Sequence, residues 1–343
     1  MIDVDLLSDT ITRPSPAMRR AMAEAEVGDE QYDEDPTVNR LQERVAMLLG
    51  HESALYLPSG TMANQIALRV HCRPGDEVLA HPTAHTFNYE SGGPGAIAGV
   101  GLHALDGPRG HYGVDQFEAA IRPADRLTPR SRLAWLEQTS NLGGGSVWPL
   151  AEVESIVDAA HAHGLVAHLD GARLLNAATS SGLPAAAFTA RFDSAWLDLT
   201  KGLGAPVGAV LVGSKAFIEE AWRFKQQMRG AMRQAGIIAA AGLYALDHNV
   251  VRLADDHARA RRLAEGLSAL PGIEIDMDGV ETNLVFFRVR APLVAGAFVA
   301  ELLDRGVRMS AMGDRIRAVT HLDVDDAGID RALAVTAEAL RAH

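Results

Sequence analysis

Short apolar segments alternate with longer amphipathic ones along the first two thirds of this 343-residue chain. Apolar residues recur at helical spacing between Asp35 and Gly50, and again between Pro149 and Gly164, as is typical of capped helices. The shorter segments have the length and apolar content of buried strands: "ALYL", "DEVLA", "SRLAWLE", "LVAHLD", "AWLDL" and "GAVLVG". Strands that alternate with helices usually pair in parallel. This order therefore predicts an α/β fold with a mostly parallel sheet between layers of helices.

The last third of the chain has a different pattern. A helical pattern runs from about Gln234 to Ala269, and strand-like segments then alternate with helices up to the carboxy terminus. A chain of this length also exceeds the size at which a single hydrophobic core usually stops growing. We therefore predict a large domain over residues 1–249, which includes the amino-terminal segment, and a small α+β domain over residues 250–343.

Charge and cysteine content limit the partners. The formal net charge is −12 and no basic block interrupts it, which argues against nucleic acid or an anionic membrane and favours a small molecule. Cys72 is the only cysteine, so no internal disulfide can form and a reducing compartment is expected. The first ten residues are acidic rather than basic as in a signal peptide, and no run of 18 apolar residues is present. These features predict a cytoplasmic protein.

Polar residues follow three of the predicted strands, where open α/β sheets bind their ligands. In "PSGTMAN", residues 59–61 begin a helix, and they either form an anion-binding site or only cap that helix. Asp170 ends "LVAHLD", where the alternatives to a ligand contact are an ion pair with Arg173 or a helix cap. Lys201 follows "AWLDL" among glycines, either as a reactive amine or as a solvated lysine.

The order of these three features favours one cofactor. Pyridoxal phosphate needs an anchor for its phosphate, a carboxylate beside its pyridine nitrogen and an amine that forms a Schiff base. Residues 59–61, Asp170 and Lys201 supply these three groups in sequence order. The combination predicts a pyridoxal-phosphate enzyme, although each feature alone has an ordinary structural explanation.

The sequence also resembles the low-specificity L-threonine aldolases, fold type I pyridoxal-phosphate enzymes related to the β-eliminating lyases. The resemblance rests on stretches in the family's order: "SDTITRPSPAMRRAM", "VGDEQYDEDPTVNRL", "SGTMANQIAL", "HLDGARL", "TKGLGAPVGAVLVG", "MRQAGIIAAAGLYAL" and "RAVTHLDV". It implies a large cofactor-binding domain with a mostly parallel seven-stranded sheet, and a small carboxy-terminal α+β domain. It further implies a homotetrameric lyase that cleaves L-threonine, L-allo-threonine and related β-hydroxy-α-amino acids to glycine and an aldehyde.

The same resemblance assigns roles at the cofactor. Lys201 is expected to form the Schiff base, Asp170 to pair with the pyridine nitrogen, and His85 to stack on the ring. The residues expected to hold the phosphate or to line other sides of the cofactor are Ser59, Gly60, Thr61, Thr200 and Arg173.

On the substrate side, Arg317 is expected to grip the carboxylate with help from Ser8, and Arg173 to lie against that carboxylate. Tyr32 and Arg233 belong to segments that complete the pocket across a subunit interface in the family, Tyr32 toward the substrate and Arg233 toward the cofactor. The resemblance therefore implies active sites at dimer interfaces.

Several residues depart from the family pattern, among them Leu7 in place of an arginine and Thr200 in place of a serine. In "EQTSN", Gln138 and Ser140 replace an asparagine and a histidine. That histidine lies near the β-hydroxyl of the substrate in the family, so Ser140 leaves the preferred diastereomer and aldehyde open. In "FKQQMRGAMRQ", Gln226 replaces a lysine, and we hypothesise that Arg229 restores the lost charge near the phosphate.

The sequence leaves further alternatives open. The proton acceptor for the β-hydroxyl is either His85 or an ordered water. A β-eliminating or other carbon–carbon lyase would share the lysine and the aspartate, as would a catalytically silent relative. The histidines of "HAHGLVAHLD" fall on a helix end and on a strand and are better explained as solvated or packed side chains. The acidic residues between Asp29 and Asp35 lack the EF-hand spacing, so no metal is predicted.

Overall fold

The computed structural model of the protein describes residues 2–343. Its strands are β1 (Val4–Asp5), β2 (Ser53–Leu57), β3 (Glu77–Ala80), β4 (Gly101–Ala104), β5 (Ser131–Glu137), β6 (Val166–Asp170), β7 (Ser194–Asp198), β8 (Ala209–Gly213), β9 (Ile273–Ile275), β10 (Leu284–Val289), β11 (Val307–Arg308), β12 (Ser310–Met312) and β13 (Arg315–Val319). Its α-helices are α1 (Pro16–Ala23), α2 (Pro36–Leu49), α3 (Gly60–His71), α4 (His85–Asn88), α5 (Val114–Ala120), α6 (Leu150–Ala162), α7 (Leu174–Ser181), α8 (Ala185–Thr189), α9 (Lys215–Gln227), α10 (Gly236–His248), α11 (Leu253–Ser268), α12 (Ala295–Asp304) and α13 (Asp326–Arg341). Short 3-10 turns span Asp9–Ile11, Glu30–Tyr32 and Pro108–Gly110, and a π-helical turn spans Pro94–Ala98.

The central sheet has seven strands in the order β2-β8-β7-β6-β5-β3-β4. Strands β4, β3, β5, β6 and β7 pair in parallel, whereas β8 runs antiparallel to both β7 and β2. The predicted α/β architecture with a mostly parallel seven-stranded sheet is therefore confirmed. Edge strand β4 has no buried residue, which explains why its sequence shows no apolar run.

Helices cover both faces of the central sheet. Neighbouring residues of a strand point to opposite faces, and on β7 Trp196 packs with residues of α3 and α9. Leu197 lies on the other face, in a core cluster that includes residues of α2, α6 and α10. Because both faces are buried, the central strands are almost continuously apolar in sequence.

The helical pattern predicted from Gln234 to Ala269 forms two helices. Helix α10 ends at His248 and α11 begins at Leu253, so the break falls at the "DHN" segment. Helix α10 is rich in alanine but spans only 13 residues. Within residues 2–343, no helix has both the length and the apolar content needed to cross a bilayer.

The carboxy-terminal third forms a second layered unit. Strands β12-β13-β10-β9 make an antiparallel sheet whose apolar residues pack with α11, α12 and α13. Strand β1 from the amino terminus pairs in parallel with β11, and Val4 and Leu6 are buried in this same core. The domain boundary between residues 249 and 250 stays a prediction.

Candidate active site

Three adjacent strands of the central sheet end in carboxylates. Glu137, Asp170 and Asp198 are the last residues of β5, β6 and β7, and Glu137 lies beside Asp170 in the strand register. All three residues are buried, with 6%, 0% and 9% of their surface exposed. Strands that end together form the crevice in which α/β proteins bind ligands. Sequence reasoning identified only Asp170, although the shared strand-end position was a signal for all three.

Asp170 is held by hydrogen bonds rather than by a cation. Its Oδ1 accepts the backbone N–H of Ala172 at 3.1 Å, and its Oδ2 accepts the side-chain amide of Asn64 at 2.9 Å. Burial, and then the charge of Glu137, raise the pKa of Asp170 to about 7 against the opposing effect of nearby cations. A cation placed beside Asp170 would restore its usual ionisation.

Asn64 connects Asp170 with another buried carboxylate, Glu90. Its Nδ2 also donates to Glu90 Oε1 at 2.7 Å, while its Oδ1 accepts the indole N–H of Trp196 at 2.7 Å. The indole bond fixes which end of the amide acts as donor. Sequence reasoning missed both Asn64 and Glu90, because no local pattern indicates which carboxylates Asn64 meets.

His85 begins α4 at the edge of the same crevice. Its Nδ1 lies 2.9 Å from Glu90 Oε1, and its backbone N–H donates to Glu137 Oε2 at 2.7 Å. Burial opposes ionisation of the imidazole, but the hydrogen bond that the ring donates to Glu90 and the charges of three buried carboxylates raise the pKa of His85. The ring is therefore held by Glu90 and carries its proton more readily than a free histidine.

Lys201 and Thr200 both contact Asp198. Lys201 Nζ lies 2.5 Å from Asp198 Oδ2, and the Thr200 hydroxyl donates to Asp198 Oδ1 at 2.7 Å. The side chain of Lys201 is 17% exposed, and its ammonium lies 5.7 Å from the ring centroid of Trp196. Lys201 is thus an oriented, largely buried amine rather than a solvated loop lysine.

The amino terminus of α3 faces the crevice. Ser59 caps the helix, and its Oγ accepts the backbone N–H of Met62 at 3.2 Å. Gly60 and Thr61 follow as the first helical residues, where unpaired N–H groups and the helix dipole favour an anion. A Cβ at Gly60 would lie 2.2 Å from the Trp196 ring, so only glycine allows the helix to begin so close to the sheet.

Several of these groups line one cavity of about 160 Å³. Its lining residues are Thr10, Gly60, Thr61, Asn64, His85, Asp170, Ala172, Trp196, Asp198 and Lys201. The structure therefore places Lys201, Asp170, His85 and the beginning of α3 together. An amine, an unpaired buried carboxylate and a helix amino terminus are the groups that pyridoxal phosphate requires, so the residues present fit that cofactor.

Arg173 forms a buried ion pair with Asp9. Its Nε and Nη2 donate to the two oxygens of Asp9 at 2.8 and 2.7 Å, and both side chains are almost fully buried. Burial would raise the pKa of Asp9, but the charge and hydrogen bonds of Arg173 hold it well below its usual range. The Asp170–Arg173 ion pair that the sequence left open therefore does not form.

Arg317, on β13 of the small sheet, contacts both the loop after β5 and the amino-terminal segment. Its Nη1 donates to Asn141 Oδ1 at 3.0 Å and its Nη2 to the Leu7 carbonyl at 3.2 Å, directly before Ser8. Its Nε is buried and has no partner within residues 2–343. Burial, and then the charge of Arg173, lower the pKa of Arg317. Arg317 thus contacts the residue before Ser8 and the loop that follows β5, and the joint grip of Arg317 and Ser8 on a substrate carboxylate stays a prediction.

The two departures in "EQTSN" lie in this loop. Gln138 points toward Trp148, whose backbone N–H it accepts at 3.2 Å. Ser140 is 3% exposed, and its Oγ lies 2.0 Å from the position that a Cβ on Gly110 would occupy. The loop around Gly110 thus occupies the space next to Ser140.

Tyr32 and Arg233 do not line the cavity of Lys201. Tyr32 is 70% exposed, and Arg233 lies on the surface, where it donates to Asp29 Oδ2 at 2.8 Å. Their segments are joined by a buried ion pair between Lys225 and Glu30, 2.9 Å apart, and Glu30 also accepts the backbone N–H of Met232.

Gln226 and Arg229, which depart from the family pattern in this region, take no part in that ion pair. Gln226 donates to the side-chain carbonyl of Gln31 at 3.0 Å. Arg229 adopts a left-handed backbone conformation with φ of 60°. The proposed contact of Arg229 with a phosphate stays a hypothesis.

Lys225→Met is expected to lower the free energy of unfolding by about 3–5 kcal/mol, because it leaves the Glu30 carboxylate buried without a cation. Thermal or urea unfolding measures the change. Lys215→Met, at an exposed lysine, is the matched control and is expected to change stability by less than about 0.5 kcal/mol. If Lys225→Met were as stable as the wild type, the buried ion pair would not be what holds these two segments together.

Comparisons with known proteins point to one family. The family described as "Beta-eliminating lyase" matches residues 5–291. A low-specificity L-threonine aldolase from Arabidopsis thaliana is 40% identical, and the alignment covers 99% of this chain and 97% of the relative.

Solved structures agree in fold. A threonine aldolase from Leishmania major has a TM-score of 0.84 at 22% identity, covering 98% of this chain and 99% of that one. A serine palmitoyltransferase from S. paucimobilis, solved with bound PLP and myriocin, has a TM-score of 0.76 at 16% identity, covering 98% and 87%. These likenesses concern the fold type I architecture.

Proposed function

Because the chain belongs to the beta-eliminating lyase family, and within it to the low-specificity L-threonine aldolases, we propose that it cleaves β-hydroxy-α-amino acids. The protein is a lyase, and L-threonine and L-allo-threonine are the proposed substrates, with glycine and acetaldehyde as products. The observation that carries the proposal is the convergence of Lys201, Asp170, His85 and the beginning of α3 on one cavity.

The proposed cofactor is pyridoxal phosphate. Lys201 would bind it covalently, Asp170 would meet its pyridine nitrogen, and residues 59–61 with Thr200 would hold its phosphate. Thr200 would have to leave Asp198 to do so, since its hydroxyl now donates to that carboxylate. When bound, the cofactor supplies an electron-withdrawing ring that accepts the electron pair left on Cα as a bond to Cα breaks.

The residues of this chain determine which Cα bond breaks. Arg317 would bind the substrate carboxylate through its fork of N–H groups, including the Nε that now has no partner. Fixing the carboxylate fixes rotation about Cα and presents the Cα–Cβ bond for cleavage. A base, either His85 or a water, removes the β-hydroxyl proton, so that Cβ leaves as the aldehyde and Cα gains a proton to become glycine.

Product analysis tests this function. Incubation with L-threonine and L-allo-threonine is expected to give glycine and acetaldehyde in equal amounts. A keto acid and ammonia would identify a β-eliminating lyase instead. A colourless protein that forms no product with added pyridoxal phosphate would identify a catalytically silent relative.

We also propose that the active enzyme is a homotetramer built of dimers, with Tyr32 and Arg233 completing the active site of a neighbouring subunit. Support comes from the exposure of Tyr32 and from the position of both residues outside the Lys201 cavity. A cytoplasmic location is proposed as well, supported by the single, unpaired Cys72.

A further inference from the structure

A groove of about 520 Å³ lies between the central sheet and the small antiparallel sheet. One wall contains His81 and Thr83, another contains Leu142 with the glycines that follow it, and Phe286 and Arg315 come from the small sheet. This volume far exceeds what the methyl group of threonine fills. None of the residues that line the groove has a role in the proposed reaction.

The groove adjoins the proposed substrate site because both use the same elements. Arg315 and Arg317 are two positions apart on β13, so their side chains point to the same face of the strand. Their Cα atoms are about 7 Å apart. Arg317 donates to Asn141, and Arg315 Nη2 donates to the carbonyl of the next residue, Leu142, at 3.1 Å. A substrate held by Arg317 therefore has the groove beside it.

The wall that contains His81 and Thr83 also adjoins the cofactor cavity. Thr83 lies two residues before His85, and the ring centroids of His85 and Tyr89 are 5.5 Å apart. His81 and Thr83 line the groove, and His85 lines the cavity. The groove thus adjoins the side of the cavity on which His85 lies.

Arg315 differs from the other arginines that line this groove. Arg109 pairs with Glu281, and Arg288 Nε lies 2.7 Å from an Asp314 oxygen. Arg315 forms no ion pair within residues 2–343, and its guanidinium packs over the Phe286 ring, 4.5 Å from the centroid. A partly buried cation without a carboxylate is a position where an anionic ligand gains most.

The acidic residues that line the groove have other partners. Glu274 Oε1 accepts a hydrogen bond from Arg290 at 2.9 Å. Asp276 Oδ1 accepts the backbone N–H of Asp278 at 3.1 Å and thereby stabilises a turn. Neither carboxylate contacts Arg315, so they do not neutralise it.

We propose that this groove binds the substituent on Cβ of the substrate, and that Arg315 binds a carboxylate at the far end of that substituent. The preferred substrates are then β-hydroxy-α-amino acids with a second carboxylate on an extended or aromatic β-substituent, which packs against Phe286. This inference rests on the proposed function. The Cα–Cβ bond breaks as before, the β-hydroxyl proton goes to the base, Cα is protonated to glycine, and the aldehyde released carries the second carboxylate.

Kinetics with three substrates test the proposal: L-threonine, L-phenylserine and L-4-carboxyphenylserine. The wild-type enzyme is expected to prefer the carboxylated phenylserine over phenylserine by about 10- to 100-fold in kcat/KM, mainly through KM, as for a hydrogen-bonded charge pair. Arg315→Met is expected to abolish this preference, and Arg315→Lys to retain part of it because the charge stays but the fork is lost. Inhibition by 4-carboxybenzaldehyde relative to benzaldehyde gives a second readout and is expected to weaken in Arg315→Met.

Arg223→Met removes an exposed arginine outside the groove and controls for net charge; it is expected to keep the substrate preference. Equal use of the two phenylserines by the wild type, or a preference that persists in Arg315→Met, would overturn the assignment of the groove. Lack of cleavage of all three substrates would contradict the proposed function itself. Circular dichroism and thermal unfolding verify that each variant folds.

Discussion

Lys201→Ala is expected to lower the turnover of L-threonine by at least about 10³-fold, because the variant loses the amine that binds the cofactor and exchanges with the substrate. The side chain is oriented by Asp198 and lies in the cavity with Asp170 and His85. Lys201 is the lysine that lines this cavity, so no other lysine side chain is placed to replace it. The measurement is glycine release over many turnovers at saturating pyridoxal phosphate.

A chemical readout accompanies the kinetics. The chain contains only three lysines, Lys201, Lys215 and Lys225, so borohydride reduction of the yellow holoenzyme followed by peptide mapping has a simple outcome. We expect the label on Lys201, since Lys225 is buried against Glu30 and Lys215 is exposed on α9. Lys215→Ala is the matched control and is expected to retain both colour and activity. Multiple turnovers in Lys201→Ala, or a label on Lys215, would refute the central assignment.

Asp170→Asn is expected to lower activity by about 10²-fold or more, because the buried charge that would meet the cofactor nitrogen is lost. In the protein without cofactor, by contrast, the same substitution is expected to increase stability relative to the wild type as pH rises. The pKa of Asp170 rises from an ordinary 3.8 to about 7 on folding, so the folded state retains a proton that the unfolded state has lost between these values.

The sign of the pH effect follows from that difference. As pH rises from about 4 to about 7, the wild type without cofactor loses stability through Asp170, and the loss is complete above pH 7. Asparagine does not titrate. The stability of Asp170→Asn relative to wild type should therefore increase by a few kcal/mol between pH 4 and pH 8.

Urea unfolding of both cofactor-free proteins across this pH range measures the effect. The wild type and the variant at pH 4 provide an internal control, because Asp170 is largely protonated in the folded protein there. A stability difference that stays constant with pH would show that Asp170 is already ionised and compensated without the cofactor.

The sequence predicted the central sheet and the candidate cofactor residues for a simple physical reason. A strand buried on both faces has to be apolar, so a charged residue at its end, such as Asp170, stands out. The same reasoning identified Lys201 just after β7. Confirmation of the seven-stranded sheet explains why these residues meet, since their strands end at one edge.

The other parts of the site depend on contacts between distant segments. Asp9 pairs with Arg173 across 164 positions, and Asn64 reaches Asp170 across 106, so no local pattern reports either contact. Glu90 lies outside any strand or helix and gains its importance only from the groups around it. Strand β1 has two residues, too few for a period of two to be recognised.

The pairing of β1 with β11 also has a consequence for biosynthesis. Val4 is synthesised about 300 residues before its partner Val307, which corresponds to a delay of roughly 15–60 s at typical elongation rates. The central sheet, complete at Gly213, can form during this interval, whereas the small antiparallel sheet cannot. Strand β1 therefore waits for the end of the chain to reach its native place, and until then Leu6 lacks the core that buries it.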